Sequence, residues 1–423
     1  MRRIGETETL RGWILKKRTH GKIIFIDLRN GMGVTQCVVK RDRVDEEVWR
    51  RAERLTQESS IILHGDWREE SRAPRGREFI VRDICITHLA ESPYPLGKKK
   101  HSSAVLMEKR HLAIRGLRYQ SIFKIRHEIL RASREFFLQE GWFEVSPPII
   151  VTTACEGGAT LFKLKYFDKD AYLTQSSQLY LEIMIFSLEK VWCLAPSFRA
   201  EKSRTRRHLC EFWHLEGEAA WMNLEGLIKF EEELTSHICR SVAENCREEL
   251  KIIGRDPSEL ERIEPPFERL TYEQIIGKLR NLGVDIRIGD DIGGDEEYML
   301  TRNLDKPIFM VGYPLEKKPF YVKEDPDKPG TGLTVDLLAP EGYGEMATGG
   351  EREDNVEKLT ERIRREGFNP EDYEWYLDLR RYGSVPHSGF GMGIDRLTWW
   401  ICKLEHVRDA LPFPRMARTR KFI

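Results

Sequence analysis

Basic side chains are crowded into a short polar stretch that lies between two runs of alternating apolar residues, within residues 191–218. Arg199 opens this stretch, and Arg207 and His208 stand near its end. Such crowding between two strand-like runs predicts a β-hairpin that binds a polyanion. The planar guanidinium of Arg199 can bind a phosphate or a carboxylate through two hydrogen bonds, while Phe212 offers a flat face to a purine base. A charged hairpin tip above a buried phenylalanine would explain this stretch equally well if it stood alone.

A second stretch, residues 386–400, places small residues directly before a helix-like apolar run. Gly391 and Gly393 allow a close approach to the backbone, and Arg396 falls in the first turns of the run, where a cation is unfavourable unless it meets an anion. Arg396 replaces the third glycine of a dinucleotide-binding fingerprint, and the sequence contains no G-x-x-x-x-G-K-S/T phosphate loop. Any ATP would therefore be held by paired arginines, for which Arg199 and Arg396 are the candidates.

Length and composition limit the class of protein. A chain of 423 residues predicts two or three domains, and 40% apolar residues suffice for their cores. We expect a cytoplasmic protein without a membrane segment, because no stretch reaches about 18 apolar residues and no apolar run follows the N-terminal arginines. The eight cysteines lack C-x-x-C pairs, which argues against a zinc site or a disulfide framework. Since the net charge is zero, nucleic-acid binding would depend on local basic patches.

The first part of the chain has the pattern of a small β-barrel. Five short β-like runs lie between residues 9 and 90, separated by polar turns, with one helix-like insert at 45–55. This pattern predicts a Greek-key barrel of the oligonucleotide-binding (OB) kind. Two prolines, a glycine and three lysines then interrupt it. We therefore divide the chain into an OB domain (1–90), a linker (91–115) and a second domain (116–423).

The second domain begins with a pattern typical of an amphipathic helix, and Gly141 is suited to end that helix. The next residues, 142–150, read as a strand that a pair of prolines ends. Strands and helices then alternate without an internal repeat. The apolar residues at helical spacing are Ile122, Ile125, Ile129, Ala132 and Phe136.

The hairpin stretch, the glycine–arginine stretch and "EGWFEVSPPII" at 140–150 resemble motifs 2, 3 and 1 of the class II aminoacyl-tRNA synthetases. The barrel before them is similar to that of the aspartyl, asparaginyl and lysyl subgroup, and asparagine-specific members of archaeal and eukaryotic type are the most similar. The resemblance covers nearly the whole chain. It implies an α+β protein in which an OB barrel precedes an antiparallel catalytic sheet flanked by helices, a homodimer formed through motif 1, and ATP held in a bent conformation with Mg²⁺.

The resemblance also assigns roles in ATP binding. Arg199 would bind the α-phosphate and the amino acid's carboxylate, and Arg396 would cover the opposite face of adenine and reach the γ-phosphate, so both are the candidate catalytic residues. Asp336 and Glu345 match the magnesium ligands, and hard oxygen donors suit Mg²⁺. The implied ATP contacts are Arg199, Glu201, Arg207, His208, Leu209, Phe212, Glu345, Gly393 and Arg396.

One position favours asparagine over aspartate as the amino acid. In aspartyl enzymes a lysine neutralises the substrate's β-carboxylate, and here that position is Leu181. Burying a carboxylate with one fewer cation costs several kcal/mol, whereas a neutral amide avoids this cost. By resemblance, Glu216 would accept from the amide NH₂ and Arg352 would donate to its oxygen. We therefore predict asparagine and tRNA(Asn) as substrates. The amino-acid contacts implied are Glu156, Ser176, Gln178, Glu216 and Arg352.

Two alternatives stay open. The first is an aspartyl enzyme, either specific or accepting more than one tRNA, and Leu181 argues against it. The second is a paralogue that no longer charges tRNA and acts as a nucleic-acid-binding or regulatory protein; the presence of Arg199 and Arg396 argues against it. Glu351 stands where relatives have glutamine, and would add a carboxylate beside the site.

The barrel carries candidates for reading the anticodon. "FIDLRNGMGVTQ" at 25–36 resembles the anticodon-binding strands of the subgroup. Phe25 would stack on the middle base, an interaction worth about 1–3 kcal/mol, and Gln36 would hydrogen-bond to it. A phenylalanine in the barrel core is the simpler explanation for Phe25 alone. Because asparagine and aspartate anticodons share their first two bases, these residues do not separate the two substrates.

Overall fold

The alternation of apolar residues in the first part of the chain produces a closed barrel. In the computed structural model its strands are β1 (Glu8–His20), β2 (Ile23–Asn30), β3 (Gly33–Lys40), β4 (Ser60–Glu69) and β5 (Arg77–His88), ordered β1-β2-β3-β5-β4 with β4 paired back to β1. Helix α1 (Glu46–Arg54) lies between β3 and β4 and buries Val48, Trp49 and Ala52. The predicted OB barrel and its helical insert are confirmed. The structure describes residues 8–73, 76–97, 100–153, 155, 160–202 and 205–417.

The chain divides into two compact units, residues 1–113 and 114–423. Two short helices, α2 (Ser103–Glu108) and α3 (Arg110–Ala113), lie inside the segment expected to be a linker. The boundaries 1–90, 91–115 and 116–423 stay a prediction. The described helices are too short or too polar to cross a lipid bilayer.

Helix α4 (Leu117–Gln139) opens the second unit as the sequence predicts. All five apolar residues that define its periodicity are buried. The helix ends at Gln139, and Gly141 follows its cap with φ of 74°, in the left-handed region that glycine adopts without strain. The amphipathic helix and its stop signal are confirmed.

A large mixed sheet forms the centre of the second unit. The strands of the second unit are β6 (Phe143–Glu144), β7 (Ile150–Val151), β8 (Lys163–Tyr166), β9 (Lys169–Leu173), β10 (Lys190–Phe198), β11 (Glu211–Ala220), β12 (Glu268–Thr271), β13 (Ile308–Val311), β14 (Thr334–Ala339), β15 (Gly344–Glu351) and β16 (His387–Gly393). Among the described residues the order of the large sheet is β12-β13-β14-β15-β16-β11-β10-β6; the pairs from β13 to β10 are antiparallel, while the outer pairs β12–β13 and β10–β6 are parallel. The remaining strands, β7, β9 and β8, form a small separate sheet.

Helices cover the sheet and leave a polar strip on one face. The helices after α4 are α5 (Gln178–Leu188), α6 (Leu224–Asn245), α7 (Arg247–Ile253), α8 (Pro257–Glu261), α9 (Tyr272–Asn281), α10 (Gly294–Thr301), α11 (Val356–Arg365), α12 (Glu374–Arg381) and α13 (Ile394–Ile401). One face of the sheet packs apolar residues such as Leu215 and Phe390 against α4 and α6 in the main core. On the opposite face, α5 packs against β10 and β11.

The strand predicted within residues 142–150 is shorter in the structure than the sequence pattern suggests. Only Phe143–Glu144 pairs with the large sheet, and the chain next enters the small sheet at Ile150–Val151. The two prolines between them lack the N–H that a central strand must donate. The predicted hairpin is confirmed, since β10 and β11 pair antiparallel, with Lys190 opposite Ala219 and Phe198 opposite Glu211.

Candidate active site

The polar strip lies where β11 and β16 run side by side. Alternation along β11 puts His214, Glu216 and Glu218 on the face opposite to the main core. The neighbouring strand β16 places Gly391 beside Glu216 and Gly389 beside Glu218. A Cβ atom on Gly389 would lie 1.8 Å from Glu218 Oε2, and one on Gly391 would lie 2.9 Å from His214 Nε2. Glycines in β16 are therefore required for the carboxylates and the imidazole of β11 to lie flat against the sheet.

A cavity at one end of this strip brings the predicted ATP-binding residues together. Its wall contains all nine of them: Arg199, Glu201, Arg207, His208, Leu209, Phe212, Glu345, Gly393 and Arg396. The wall also contains six residues without a predicted contact to ATP: His214, Met346, Thr348, Gly391, Asp395 and Val407.

The two candidate catalytic arginines reach this cavity from distant parts of the chain. The Arg199 guanidinium lies over the Phe212 ring, with Cζ 5.6 Å from the ring centroid. Arg396, the third residue of α13, binds Glu345 through Nη1, at 2.6 Å from Oε1 and 3.1 Å from the main-chain oxygen. An aromatic face, two guanidiniums and a carboxylate thus surround one space, which suits a purine nucleotide and its phosphates.

The arginines set the charge of their neighbours. Burial, together with Arg396, Arg207 and Arg199, lowers the pKa of His208 to about 4, so its imidazole is neutral at pH 7. Burial alone would raise the pKa of Glu345, but Arg396 and Arg207 outweigh burial and lower it to about 2. Glu345 is therefore an ionised oxygen donor in a cavity that three arginines also line.

The two predicted magnesium ligands occupy different surroundings. Glu345 lines the cavity, and Thr348 lines it from the same strand. The carboxylate of Asp336 instead accepts hydrogen bonds from Lys318 Nζ at 2.9 and 3.1 Å and from the Thr348 hydroxyl. Asp336 is not among the described residues of the cavity wall. Asp336 therefore orients Thr348 and pairs with Lys318, and its assignment as a magnesium ligand beside Glu345 stays a prediction.

Glu216 and Arg352, predicted to bind the two ends of one amide, have different protein partners. Glu216 accepts from the main-chain N–H of Ser177 at 2.9 Å and from the hydroxyl of Ser176. Arg352 forms a two-bond ion pair with Glu218, from Nε at 2.9 Å and from Nη2 at 3.0 Å, and both side chains are buried. Glu218 was missed as a site residue, although the Glu-x-Glu spacing places both carboxylates on one face of a strand.

A buried network extends behind this ion pair. Gln178 donates to Glu182 Oε1 at 3.0 Å, while Arg380 and the Tyr376 hydroxyl each donate to Glu182 Oε2 at 2.7 Å. His387 Nε2 lies 3.1 Å from the same oxygen. Within the described residues, Glu182, Glu218 and His387 are close enough to hold a metal ion. The guanidiniums of Arg380 and Arg352 already supply the positive charge there, so an ion-pair network explains the cluster.

Comparison with known proteins identifies the family. The family model for class II tRNA synthetases (D, K and N) matches residues 102–417, and the OB-fold nucleic acid binding domain model matches residues 8–86. This chain belongs to the class II aminoacyl-tRNA synthetases.

Relatives of this class II synthetase match it over nearly the whole chain. An asparagine–tRNA ligase from Pyrococcus abyssi is 51% identical over 412 residues, which is 97% of this chain and 95% of that protein. The crystal structure of an asparaginyl-tRNA synthetase from Pyrococcus horikoshii, complexed with asparaginyl-adenylate, is 50% identical with a TM-score of 0.95 and covers 99% of this chain and 97% of that one. The corresponding adenylate complex from Entamoeba histolytica is 33% identical, with a TM-score of 0.90 and coverage of 98% and 96%.

Three further expectations for this class II synthetase concern Leu181, Glu351 and Glu156. Leu181 does not border the amino-acid site: it is 1% exposed and packs with Ile185 and Cys193 between α5 and β10. The Glu351 carboxylate lies against the start of α6, where its Oε1 accepts from the main-chain N–H of Leu224 at 2.8 Å. Glu156 lies outside the described residues.

The two anticodon candidates of this class II synthetase lie on the outside of the barrel. Ile24 and Ile26 point into the barrel core, so Phe25 between them points outward, with Arg18 Cζ 5.7 Å from its ring centroid. The explanation of Phe25 as a core residue is wrong. Gln36, on the adjoining β3, donates from Nε2 to Glu78 at 3.3 Å.

Proposed function

We propose that this class II synthetase activates asparagine with ATP and then transfers the asparaginyl group to tRNA(Asn). The observation that carries the choice of amino acid is the buried ion pair between Arg352 and Glu218, with Glu216 on the same strand face. Arg352 is already neutralised, so the second carboxylate of aspartate would meet two anions and one cation. An amide is neutral and can both donate to a carboxylate and accept from the guanidinium. The asparagine–tRNA ligases that match nearly the whole chain support the same choice.

In the proposed first step, the carboxylate of asparagine attacks the α-phosphorus of ATP and pyrophosphate leaves. Arg199 would hold the attacking carboxylate and the α-phosphate in line, and its contact with Phe212 fixes the guanidinium plane against the cavity wall. Arg396 would neutralise the outer phosphates as pyrophosphate forms. In the second step the 3′-hydroxyl of the terminal adenosine of tRNA accepts the asparaginyl group and AMP leaves.

The donor set of the cavity fits Mg²⁺. Glu345, whose carboxylate is ionised, and Thr348 lie on one strand and line the space proposed for the phosphates, and both carry hard oxygen donors. Bound there, Mg²⁺ would offset the charge of the polyphosphate. Asp336 would orient the Thr348 hydroxyl by accepting its hydrogen bond.

We further propose that the chain forms a homodimer through its motif 1 stretch and acts in the cytoplasm. Phe143, Ile149 and Ile150 of this stretch are 54%, 41% and 46% exposed, which leaves apolar surface open to a second copy. Sedimentation equilibrium gives the mass of the particle. A monomer at micromolar concentration would contradict the dimer, and Ile150→Asp should convert a dimer into monomers.

Amino-acid-dependent exchange of pyrophosphate into ATP tests the proposed activity. We expect asparagine to support exchange and aspartate to support it hardly at all, with both amino acids assayed on the same preparation. Equal rates would point to an enzyme that accepts both. Exchange with aspartate alone would establish the aspartyl alternative, and exchange with neither would favour the non-charging paralogue.

A further inference from the structure

A helix outside the three sequence motifs contacts two segments of the cavity wall through a buried carboxylate. Glu297, on α10, is 4% exposed. Its Oε2 atom accepts a hydrogen bond from Arg207 Nη1 at 2.5 Å and a second one from the main-chain N–H of Glu345 at 2.8 Å. Arg207 belongs to the loop after β10, and Glu345 belongs to β15. One oxygen atom therefore joins two segments that both line the cavity.

Two glycines leave the space that this arrangement needs. Gly344 has φ of 70°, and a Cβ atom on it would lie 2.4 Å from Glu297 Oε2. Gly294 is the first residue of α10, and a Cβ atom on it would lie 2.9 Å from Cζ of Arg207. Any larger residue at either position would separate the carboxylate from the guanidinium or from β15.

Charge explains why Arg207 needs this carboxylate. The guanidinium lies against the first residue of α10, where the free N–H groups of a helix carry a partial positive charge that repels a cation. Burial adds to the cost, since the Arg207 side chain is 19% exposed. The ion pair with Glu297 offsets both terms and so keeps Arg207 pointing along the cavity wall.

We propose that Glu297 is a positioning residue of the nucleotide site. Glu297 is not among the described residues of the cavity wall. It acts through Arg207 and Glu345, and so holds the loop between β10 and β11 against β15, the strand that carries the oxygen donors. The proposal rests on the proposed function, because it takes the cavity to be the ATP site. It places a determinant of ATP affinity on α10, between motifs 2 and 3.

The test compares Glu297→Gln with Asp295→Asn in the full-length chain. Asp295 is an exposed residue in the first turn of the same helix, so its substitution removes the same charge without a contact in the cavity. Glutamine keeps the size of Glu297 but weakens its bond to Arg207. We expect Glu297→Gln to raise both the KM and the Kd for ATP about tenfold, the scale of one charge-assisted hydrogen bond, with the KM for asparagine within about twofold of wild type. Asp295→Asn should match wild type in all three.

A merely structural role would give a different result. Loss of folded protein lowers the apparent kcat and leaves the KM for ATP unchanged, and that outcome would overturn the proposal. Equal increases in the KM values for ATP and asparagine would also overturn it. Adding Arg207→Met provides a second measurement: because Glu297 acts largely through Arg207, the double variant should bind ATP about as weakly as Arg207→Met alone, whereas additive losses would contradict the proposal.

Direct titration of ATP separates this proposal from the proposed function. A wild-type chain that binds ATP but shows no exchange with asparagine or aspartate would contradict the proposed function, while the comparison of ATP Kd values would still decide the role of Glu297. A wild-type chain that does not bind ATP would overturn both.

Discussion

Single residues determine the charge that a substrate meets in this site. Glu216 and Glu218 lie on the same face of β11, yet one binds the start of α5 and the other binds Arg352. Burial raises the pKa of Glu218, although Arg352 opposes that shift. Burial and Arg352 therefore act in opposite directions on the charge of Glu218. Removing either charge of the pair should change which amino acid the site prefers.

Glu218→Gln should weaken the discrimination between asparagine and aspartate. The change leaves the buried Arg352 without its counter-ion, which costs about 3–5 kcal/mol of folding free energy, and a substrate carboxylate could then replace the missing charge. We expect a lower thermal midpoint and a rise of about tenfold in the ratio of aspartate-dependent to asparagine-dependent exchange. Glu225→Gln is the control, because Glu225 pairs with Arg269 at the surface and is 71% exposed. An unchanged ratio in a folded variant would contradict the role given to the pair.

His208 should take up a proton when ATP binds. In the free protein its pKa is about 4, well below the ordinary value, because it is buried near three arginines. The phosphates of ATP offset the arginine charges and so raise this pKa on binding. A group whose pKa rises on binding favours the complex at low pH, so ATP affinity should increase as pH falls toward 4.

Calorimetric titration in two buffers of different ionisation enthalpy measures this proton uptake. We expect uptake at about pH 5.5 that vanishes at about pH 8 and is absent in His208→Gln. His406→Asn is the control, because His406 also has a pKa lowered to about 4 but lies outside the cavity wall as described. Equal uptake by wild type and His208→Gln would assign the proton to another group.

At the scale of elements, β16 positions the site by having almost no side chains on its polar face. Gly389→Ala would put a methyl group 1.8 Å from Glu218 Oε2 and 2.5 Å from the main-chain oxygen of Gly217. We expect it to break the Glu218–Arg352 pair, to lower the free energy of unfolding by at least about 3 kcal/mol and to abolish asparagine-dependent exchange. Urea unfolding monitored by circular dichroism measures the stability.

Gly277→Ala is the matched control for Gly389→Ala. Gly277 lies inside α9, where an added Cβ atom meets nothing within 4 Å. Alanine at such a position stabilises a protein by about 0.4–1 kcal/mol, because it restricts the unfolded chain. If Gly389→Ala were as stable as Gly277→Ala, the close approach of β16 to β11 would not limit the site.

Elements whose pattern is local could be predicted from the sequence. Spacing within about 30 residues determines the β10–β11 hairpin, the helix α4 and the step from strand β16 to helix α13. The partners of the buried charges could not be predicted, since they depend on which strands adjoin and in which register. Glu182 meets Arg380 across 198 residues, and Arg207 meets Glu297 across 90. The inward direction of Leu181 likewise depends on which face of α5 packs against β10, which helical periodicity alone does not decide.

At the scale of the whole molecule, the cavity proposed to bind ATP and the surface proposed to read tRNA belong to different compact units of the chain. The cavity and its ion pairs lie entirely within residues 114–423, whereas Phe25 and Gln36 belong to residues 1–113. Each unit has its own apolar core among the described residues. A change on the outer face of the barrel should therefore leave the chemistry of adenylate formation intact.

Phe25→Ala should impair charging of tRNA(Asn) while sparing asparagine-dependent pyrophosphate exchange. The ring faces outward and is not part of the barrel core, so its removal should cost little folding stability. Loss of a base stacked on an aromatic ring costs about 1–3 kcal/mol, which corresponds to a fall of about 5- to 150-fold in kcat/KM for tRNA. Phe25→Tyr keeps the aromatic face and should restore most of the charging. A variant that loses exchange, or one that charges tRNA(Asn) as well as wild type, would show that Phe25 does not bind the anticodon.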